Sequence, residues 1–206
     1  MLRVKICGIT RQEDVLAAAQ AGADAIGFQF YKQSARYITP ERAALLAKNL
    51  PPFLSVVGVF VNDEPEEVRR IAELCHLDYV QLHGNENPNS FSNIPCRIIK
   101  AVRVERADDL IDLERFSVDA LLLDAKVGDL FGGTGQCFDW SLLKSITTSV
   151  PLILAGGLRP ENIASAVKIA HPQAVDVSSG VESAPGIKSF DKMRSFIQNA
   201  HQAADE

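Results

Sequence analysis

The chain has 206 residues, with 21 Lys plus Arg against 26 Asp plus Glu, a formal net charge of −5. That balance argues against a nucleic-acid binder, whose footprint is a basic surplus. Hydrophobic residues at 47% and charged residues at 23% suit a globular chain rather than a disordered one. No apolar run reaches the roughly 20 residues of a membrane helix.

Short β-rich runs alternate with helix-period segments along the chain. Val4–Cys7 reads as the first strand and Arg11–Ala21 as a helix, with Thr10 as cap and Glu13 three residues on. Ala25–Phe30 is the second strand. Pro40–Asn49 is the next helix, with Thr39 as N-cap and Pro40 in the first turn. Ser55–Val61 is a strand, and the acidic run Asp63–Glu67 opens a helix to about Cys75. Such a run suits a helix N-terminus, where the dipole favours carboxylates, better than a cation site.

Tyr79–His83 is the fourth strand; Glu86–Asn93 is polar and carries Pro88, so any helix there is weak. Cys96–Val102 is the fifth strand, followed by a helix near Arg106–Phe116. Ala120–Asp124 is the sixth, with Leu121, Leu122 and Leu123 buried on both faces. A glycine loop, Gly132-Gly133-Thr134-Gly135, leads to a helix at Trp140–Ile146. Pro151–Ala155, a helix at Pro160–Ala170, Val175–Ser178 and a last helix at Phe190–Gln202 complete the chain.

Eight strand-then-helix units of about 26 residues follow one another without a linker or repeat break. Repeated βα units demand parallel pairing with right-handed crossovers. Eight fit a closed (β/α)8 TIM barrel, α/β in class and one domain over residues 1–206. An open doubly wound sheet would carry G-x-G-x-x-G after the first strand, and Gly8-Ile9-Thr10 is not that pattern. The start, Met1–Gly8, is too short in its apolar part for a signal peptide. Cys7, Cys75, Cys96 and Cys137 are widely spaced with no C-x-x-C. A zinc or redox pair is not expected, and reduced thiols in the cytoplasm are.

In a barrel, working residues lie at the C-terminal ends of strands and in the loops beyond. Alternation puts Lys5 and Cys7 on one face and Val4 and Ile6 on the other; Gln81 and His83 share a face opposite Val80 and Leu82. The simplest assignment turns the polar sets inward. A cysteine alone is commonly a small core residue, but Cys7 stands at a strand end beside Lys5, whose ammonium would favour a thiolate. Asp124 ends the sixth strand, as a cap, an ion-pair partner or an acid. His83 fits an orienting, binding or structural role. Ala155-Gly156-Gly157-Leu158 and Ser178-Ser179-Gly180-Val181 follow strands seven and eight, where many barrels hold a phosphate on backbone amides. The glycines around Gly133 suit a mobile lid or a plain connection.

These motifs in order resemble the phosphoribosylanthranilate isomerase family of tryptophan biosynthesis. The resemblance runs through Lys5-Ile6-Cys7-Gly8-Ile9-Thr10, Gly27-Phe28-Gln29-Phe30 with Ser34-Ala35-Arg36-Tyr37, and Val57-Gly58-Val59-Phe60-Val61-Asn62. It continues through Gln81-Leu82-His83-Gly84, Leu122-Leu123-Asp124, Gly132-Gly133-Thr134-Gly135 with Phe138-Asp139-Trp140, Leu154-Ala155-Gly156-Gly157-Leu158 and Asp176-Val177-Ser178-Ser179-Gly180-Val181-Glu182. The stretch Ala125–Phe131 departs from the pattern.

The resemblance implies a cofactor-free, metal-free isomerase. Its reaction is the Amadori rearrangement of N-(5-phosphoribosyl)anthranilate to 1-(2-carboxyphenylamino)-1-deoxyribulose 5-phosphate. It implies Cys7 as general base, Asp124 as general acid and Arg36 as holder of the anthranilate carboxylate. Gly156, Gly157, Ser179 and Gly180 would hold the phosphate; Lys5, Gln81, His83 and Gly133 are further expected substrate contacts. The chemistry asks independently for an acid at the ribose ring oxygen and a base at C2. The expected partner is a small phosphorylated sugar, with no nucleic acid and no membrane; monomer and homodimer are both compatible. Of the rivals, indole-3-glycerol-phosphate synthase would want a lysine and glutamates at the mouth. A Schiff-base aldolase would want an inward desolvated lysine, with Lys100 and Lys126 to consider. A non-catalytic phosphate binder would not need Cys7 and Asp124 together.

Overall fold

The computed structural model describes residues 1–111, 113–125, 139–146 and 148–206. Eight parallel strands close into one barrel: β1 (Arg3–Cys7), β2 (Ala25–Gln29), β3 (Ser55–Phe60), β4 (Tyr79–Leu82), β5 (Arg97–Val104), β6 (Ala120–Ala125), β7 (Leu152–Leu154) and β8 (Ala174–Val177). Each pairs with its sequence neighbour, and β8 returns to β1 through Val4 opposite Val175 and Lys5 opposite Asp176. Helices α1 (Gln12–Ala21), α2 (Pro40–Ala47), α3 (Pro65–Cys75), α4 (Ile163–Ala170) and α5 (Phe190–Asp205) pack outside. The expected (β/α)8 architecture is therefore present. Among the described residues, no helix is long and apolar enough to cross a membrane.

Two-residue alternation divides the core. Val4, Ile6, Val80, Leu82, Leu123 and Val175 join the large cluster between strands and helices. Val57, Ile99, Ala101, Ala120, Leu122 and Ala155 form a separate cluster that fills the barrel. Each fully buried Leu, Ile or Phe contributes about 1.5–3 kcal/mol, and the triple leucine of β6 is buried on both faces as its composition demands.

A repeated clasp closes the N-terminal rim. The side chain of Asp24 accepts from Val4 N, Asp78 from Val56 N and Asp119 from Ile98 N, at 2.8, 2.7 and 2.8 Å; Gln173 accepts from Leu152 N at 2.7 Å. Each of these four residues also donates its own N–H back to the carbonyl of the same partner, at 2.9–3.1 Å. Every even strand is thus tied to the odd strand before it.

Several local expectations are corrected. The Thr10 hydroxyl does not cap α1; it donates to the Gly186 carbonyl at 2.7 Å, and Arg11 takes the cap position. Thr39 does cap α2, accepting from Arg42 N at 3.3 Å. The segment read as a helix at Arg106–Phe116 is two 3-10 turns, Ala107–Leu110 and Leu113–Arg115. There Asp109 reaches back to accept from Glu105 N and Arg106 N at the start of the first turn, and the extended backbone of Ile111 (φ −77°, ψ 139°) ends that turn after Leu110. Trp140–Ser145 is likewise 3-10. The acidic run before α3 is answered on the surface by i,i+3 pairs, Glu66 with Arg69 and Glu67 with Arg70. A short hairpin missed by sequence reading, β9 (Glu182–Ala184) with β10 (Ile187–Lys188), follows β8.

Candidate active site

The C-terminal ends of the strands open on one cavity lined by Cys7, Gly8, Gln29, Arg36, Gln81, His83, Asp124, Gly156, Gly157, Asp176 and Ser179. Lys5 and Cys7 point inward from β1, as alternation requires. Room for them comes from β2: a Cβ on Gly27 would lie 2.8 Å from Cys7 Sγ and 3.0 Å from Lys5 Cε. The buried Lys5 ammonium donates to Gln81 Oε1 at 2.8 Å and forms an ion pair with Asp176 Oδ1 at 3.0 Å. Burial works to lower its pKa; the Asp176 carboxylate and the Cys7 sulfur outweigh that and raise it above the ordinary lysine value.

Cys7 behaves differently from expectation. Burial pushes its thiol above the ordinary value; Lys5 and Lys188 pull it down, and Asp176 pushes it further up. The ammonium tempers the penalty without reversing it. Thiolate therefore accumulates only as pH rises through the alkaline range. Alkylation of Cys7 by iodoacetamide, followed by mass spectrometry, should show a midpoint above that of a free thiol. Asp176→Asn removes the charge that opposes thiolate and should move that midpoint to lower pH. An unmoved or higher midpoint would mean that Asp176 does not act on Cys7.

Across the mouth, four polar groups form a directed chain. An ammonium can only donate, so Gln81 Oε1 accepts and Gln81 Nε2 donates to His83 Nδ1 at 2.7 Å. That leaves the proton of a neutral imidazole on Nε2, which faces Asp124 Oδ2 at 3.1 Å. The tautomer follows from this network of donors. Asp124 Oδ1 lies beside Gly156, whose φ is +85° and where a Cβ would fall 2.7 Å from Oδ1. Glycine is needed there for both the left-handed backbone and the close approach.

Arg36, in the connection after β2, extends over Gly8, whose absent Cβ would lie 2.9 Å from Arg36 Cγ. Its guanidinium already has a partner: Nε donates to Glu182 Oε1 at 3.2 Å and Nη2 to Glu182 Oε2 at 2.7 Å. Lys188 Nζ donates to Glu182 Oε1 at 2.8 Å and to the Ser178 carbonyl at 3.1 Å. Burial disfavours the Glu182 charge, but Arg36 and Lys188 hold its carboxyl below the usual range. Burial also holds Lys188 below its ordinary value, against the pull of Glu182.

The loops after β7 and β8 meet backbone to backbone. A Cβ on Gly180 would run into the Leu158 carbonyl oxygen. Among the described residues, the amides of Gly156, Ser179 and Gly180 take no part in the backbone hydrogen bonds of the turns and loops. Such amides at one end of a barrel suit an anion.

The structure thus gathers Lys5, Cys7, Arg36, Gln81, His83, Asp124, Gly156, Gly157, Ser179 and Gly180 at one end of the barrel. It also shows that Lys5, Gln81 and His83 spend their polar atoms on one another and on Asp124 and Asp176. Gly133 and its loop lie outside the described residues. Gln29, the one polar side chain of β2, lines the cavity, and its Oε1 accepts from Tyr31 N at 3.2 Å. Three groups were missed. Asp176 could have been found by the alternation that located Lys5, because Val175 and Val177 are the apolar partners in β8. Glu182 and Lys188 sit in a hairpin too short to show a period. Lys100 faces outward, its ammonium on the Leu82 and Gly84 carbonyls and 3.0 Å from Glu86 Oε2, which removes it as an inward Schiff-base lysine. Lys126 lies outside the described residues.

Fold and site together define a (β/α)8-barrel enzyme with a thiol and a carboxyl opening on one anion-suited mouth. The family model for N-(5'phosphoribosyl)anthranilate (PRA) isomerase matches residues 4–199, and the chain belongs to that family. The N-(5'-phosphoribosyl)anthranilate isomerase of Trichlorobacter lovleyi is 49% identical over 98% of this chain and all of its own. That of Magnetococcus marinus is 50% identical, covering 99% of this chain and 97% of its own. The crystal structure of phosphoribosyl anthranilate isomerase from Thermotoga maritima superposes with a TM-score of 0.88 at 44% identity, covering 98% of this chain and 100% of that one. A further phosphoribosyl anthranilate isomerase structure holds reduced 1-(o-carboxyphenylamino)-1-deoxyribulose 5-phosphate (TM-score 0.85, 44% identity, 98% and 100% covered).

Proposed function

We propose that the chain catalyses the Amadori rearrangement of N-(5'-phosphoribosyl)anthranilate in tryptophan biosynthesis, with Asp124 as acid and Cys7 as base. The supporting observation is that these two side chains, from β1 and β6, open on the same cavity. His83 occupies Asp124 Oδ2, leaving Oδ1 to deliver a proton to the ribose ring oxygen. The C1–O bond then breaks, and the anilino nitrogen lone pair forms an iminium. The iminium acidifies the C2 proton, which passes to the Cys7 sulfur and leaves an enolamine. Tautomerisation gives 1-(2-carboxyphenylamino)-1-deoxyribulose 5-phosphate, with no net oxidation. The amides of Gly156, Ser179 and Gly180, with Gly157, hold the phosphate. The reduced thiol that this role demands fits the cytoplasm.

The reading is tested by the fluorescence of freshly made phosphoribosylanthranilate, which should change on conversion with purified protein alone. Signal unchanged beyond the blank rate would return the chain to a phosphate-ligand binder.

Arg36 is proposed to take the anthranilate carboxylate. Hydrogen bonds involving charge are worth about 1.5–3 kcal/mol, so Arg36→Ala should cost about 10- to 150-fold in kcat/KM. The carboxylate is charged throughout the reaction, so most of the loss should fall on KM. Arg36→Lys should recover only part, because an ammonium cannot reproduce a fork. An unchanged KM in the alanine variant would refute the anchoring role.

A further inference from the structure

We infer that Glu182, backed by the buried Lys188, is a positioning residue that turns the remaining edge of Arg36 to the substrate carboxylate and so sets selectivity for a carboxylated aniline. The inference rests on the reading of Arg36 given above.

A guanidinium offers five N–H donors in a rigid plane. Glu182 takes the Nε–Nη2 edge of Arg36 with both of its oxygens. The unused edge joins Nη1 and the second Nη2 proton, and that edge alone can grip another carboxylate through two parallel bonds. Glu182 thereby fixes the plane and rotation of the fork, which an unpaired arginine on a loop would leave free.

Glu182 is itself held tightly. Its side chain is 5% exposed, that of Lys188 is 0% and that of Arg36 is 17%. Gly186 N donates to Glu182 Oε1 at 3.3 Å, and the Thr10 hydroxyl fastens the Gly186 carbonyl to the loop after β1. Lys192 Nζ, from α5, donates to the Glu182 carbonyl at 2.7 Å. The hairpin thus places one carboxylate from a frame built on three parts of the barrel.

Charge counting gives Lys188 its purpose. Arg36 with Glu182 alone would carry no net charge, so only the hydrogen bonds of the free edge would favour an anion. Lys188 restores a net charge of +1 to the trio, matching one carboxylate, while its buried ammonium leaves the fork of Arg36 as the outward group. A simple staple between two loops would need neither the third charge nor an arginine on the cavity wall.

The test uses two reduced product analogues. One is reduced 1-(o-carboxyphenylamino)-1-deoxyribulose 5-phosphate and the other is its phenylamino counterpart without the carboxylate. Dissociation constants are measured for wild type, Glu182→Gln, Arg36→Ala and the double variant, with thermal melts to confirm folding. Glu182→Gln should weaken the carboxylated ligand about tenfold and the other by less than about twofold. In the Arg36→Ala background, Glu182→Gln should add no further loss, because it acts through that fork. Tighter or unchanged binding of the carboxylated ligand by Glu182→Gln would overturn positioning, as would equal weakening of both ligands. Equal binding losses for both ligands in Arg36→Ala would instead overturn the reading of Arg36 itself. Should Glu182→Gln not fold, Glu182→Asp keeps the charge, displaces the carboxylate by one methylene and should lose part of the same discrimination. Retention of full discrimination in Glu182→Asp together with a normal melt would count against the proposal.

Discussion

Replacing Cys7 with alanine should lower kcat by about 10²–10⁴-fold, the range for one proton-transfer group, while the protein stays folded. The side chain is small, 7% exposed and at the cavity wall. Its loss enlarges an open mouth rather than a sealed core, so the cavity penalty of an internal truncation does not apply in full. Cys7→Ser should rescue little, because a hydroxyl is a far weaker acid than a thiol and yields far less anion than Cys7 at any working pH. Single-turnover fluorescence gives the rate, and a melt checks the fold. A substrate deuterated at C2 adds a second measure: slow turnover left in Cys7→Ser should carry a larger isotope effect than wild type. A well-folded alanine variant with half the wild-type kcat would remove Cys7 as the base.

Asp124→Asn should lose kcat to a similar extent, about 10²–10⁴-fold, for a different reason. The amide keeps the shape, and its oxygen can still accept from His83 Nε2 at the position now held by Oδ2. What it lacks is a proton that can be given up to the ribose ring oxygen. Ring opening should therefore become the slow step, and the C2 isotope effect should shrink toward unity. The opposite responses of the two variants assign the two steps separately. A large C2 isotope effect in Asp124→Asn would place the carboxyl at another step.

The barrel was legible because its evidence is periodic. Polar Lys5, Cys7, Gln81 and His83 could be turned inward only because Val4, Ile6, Val80 and Leu82 demanded the outer face, and the structure places all of them so. Strand ends shifted by a residue or two, since pairing with neighbours rather than composition ends a strand. The segment Arg106–Phe116 failed because apolar spacing cannot register the extended backbone at Ile111 that splits it into two short turns. The directed chain from Lys5 to Asp124 was invisible for another reason. It joins residues 76 and 41 positions apart, and only the closed barrel brings them within bonding distance. Glu182 and Lys188 were hidden because a hairpin of two and three residues per strand has no face to read.

The four clasps at the N-terminal rim give the chain natural seams. Asp24, Asp78, Asp119 and Gln173 each bind their partner twice, once by side chain and once by backbone. The rim joins that bridge successive pairs lack this double clasp: Ser55 N reaches the Asp24 carbonyl and Arg97 N the Asp78 carbonyl, each through one backbone bond, with an exposed Arg97 Nη1 to Tyr79 hydroxyl bond at 2.9 Å added at the second. Opening the chain between β4 and β5 leaves two intact clasps in each half, whereas opening it between β3 and β4 separates Val56 from Asp78. New termini for a circular permutant, or the cut for a split and recombined barrel, therefore belong after an even-numbered strand. The molecule is one barrel to its substrate and four two-stranded modules to whoever would take it apart.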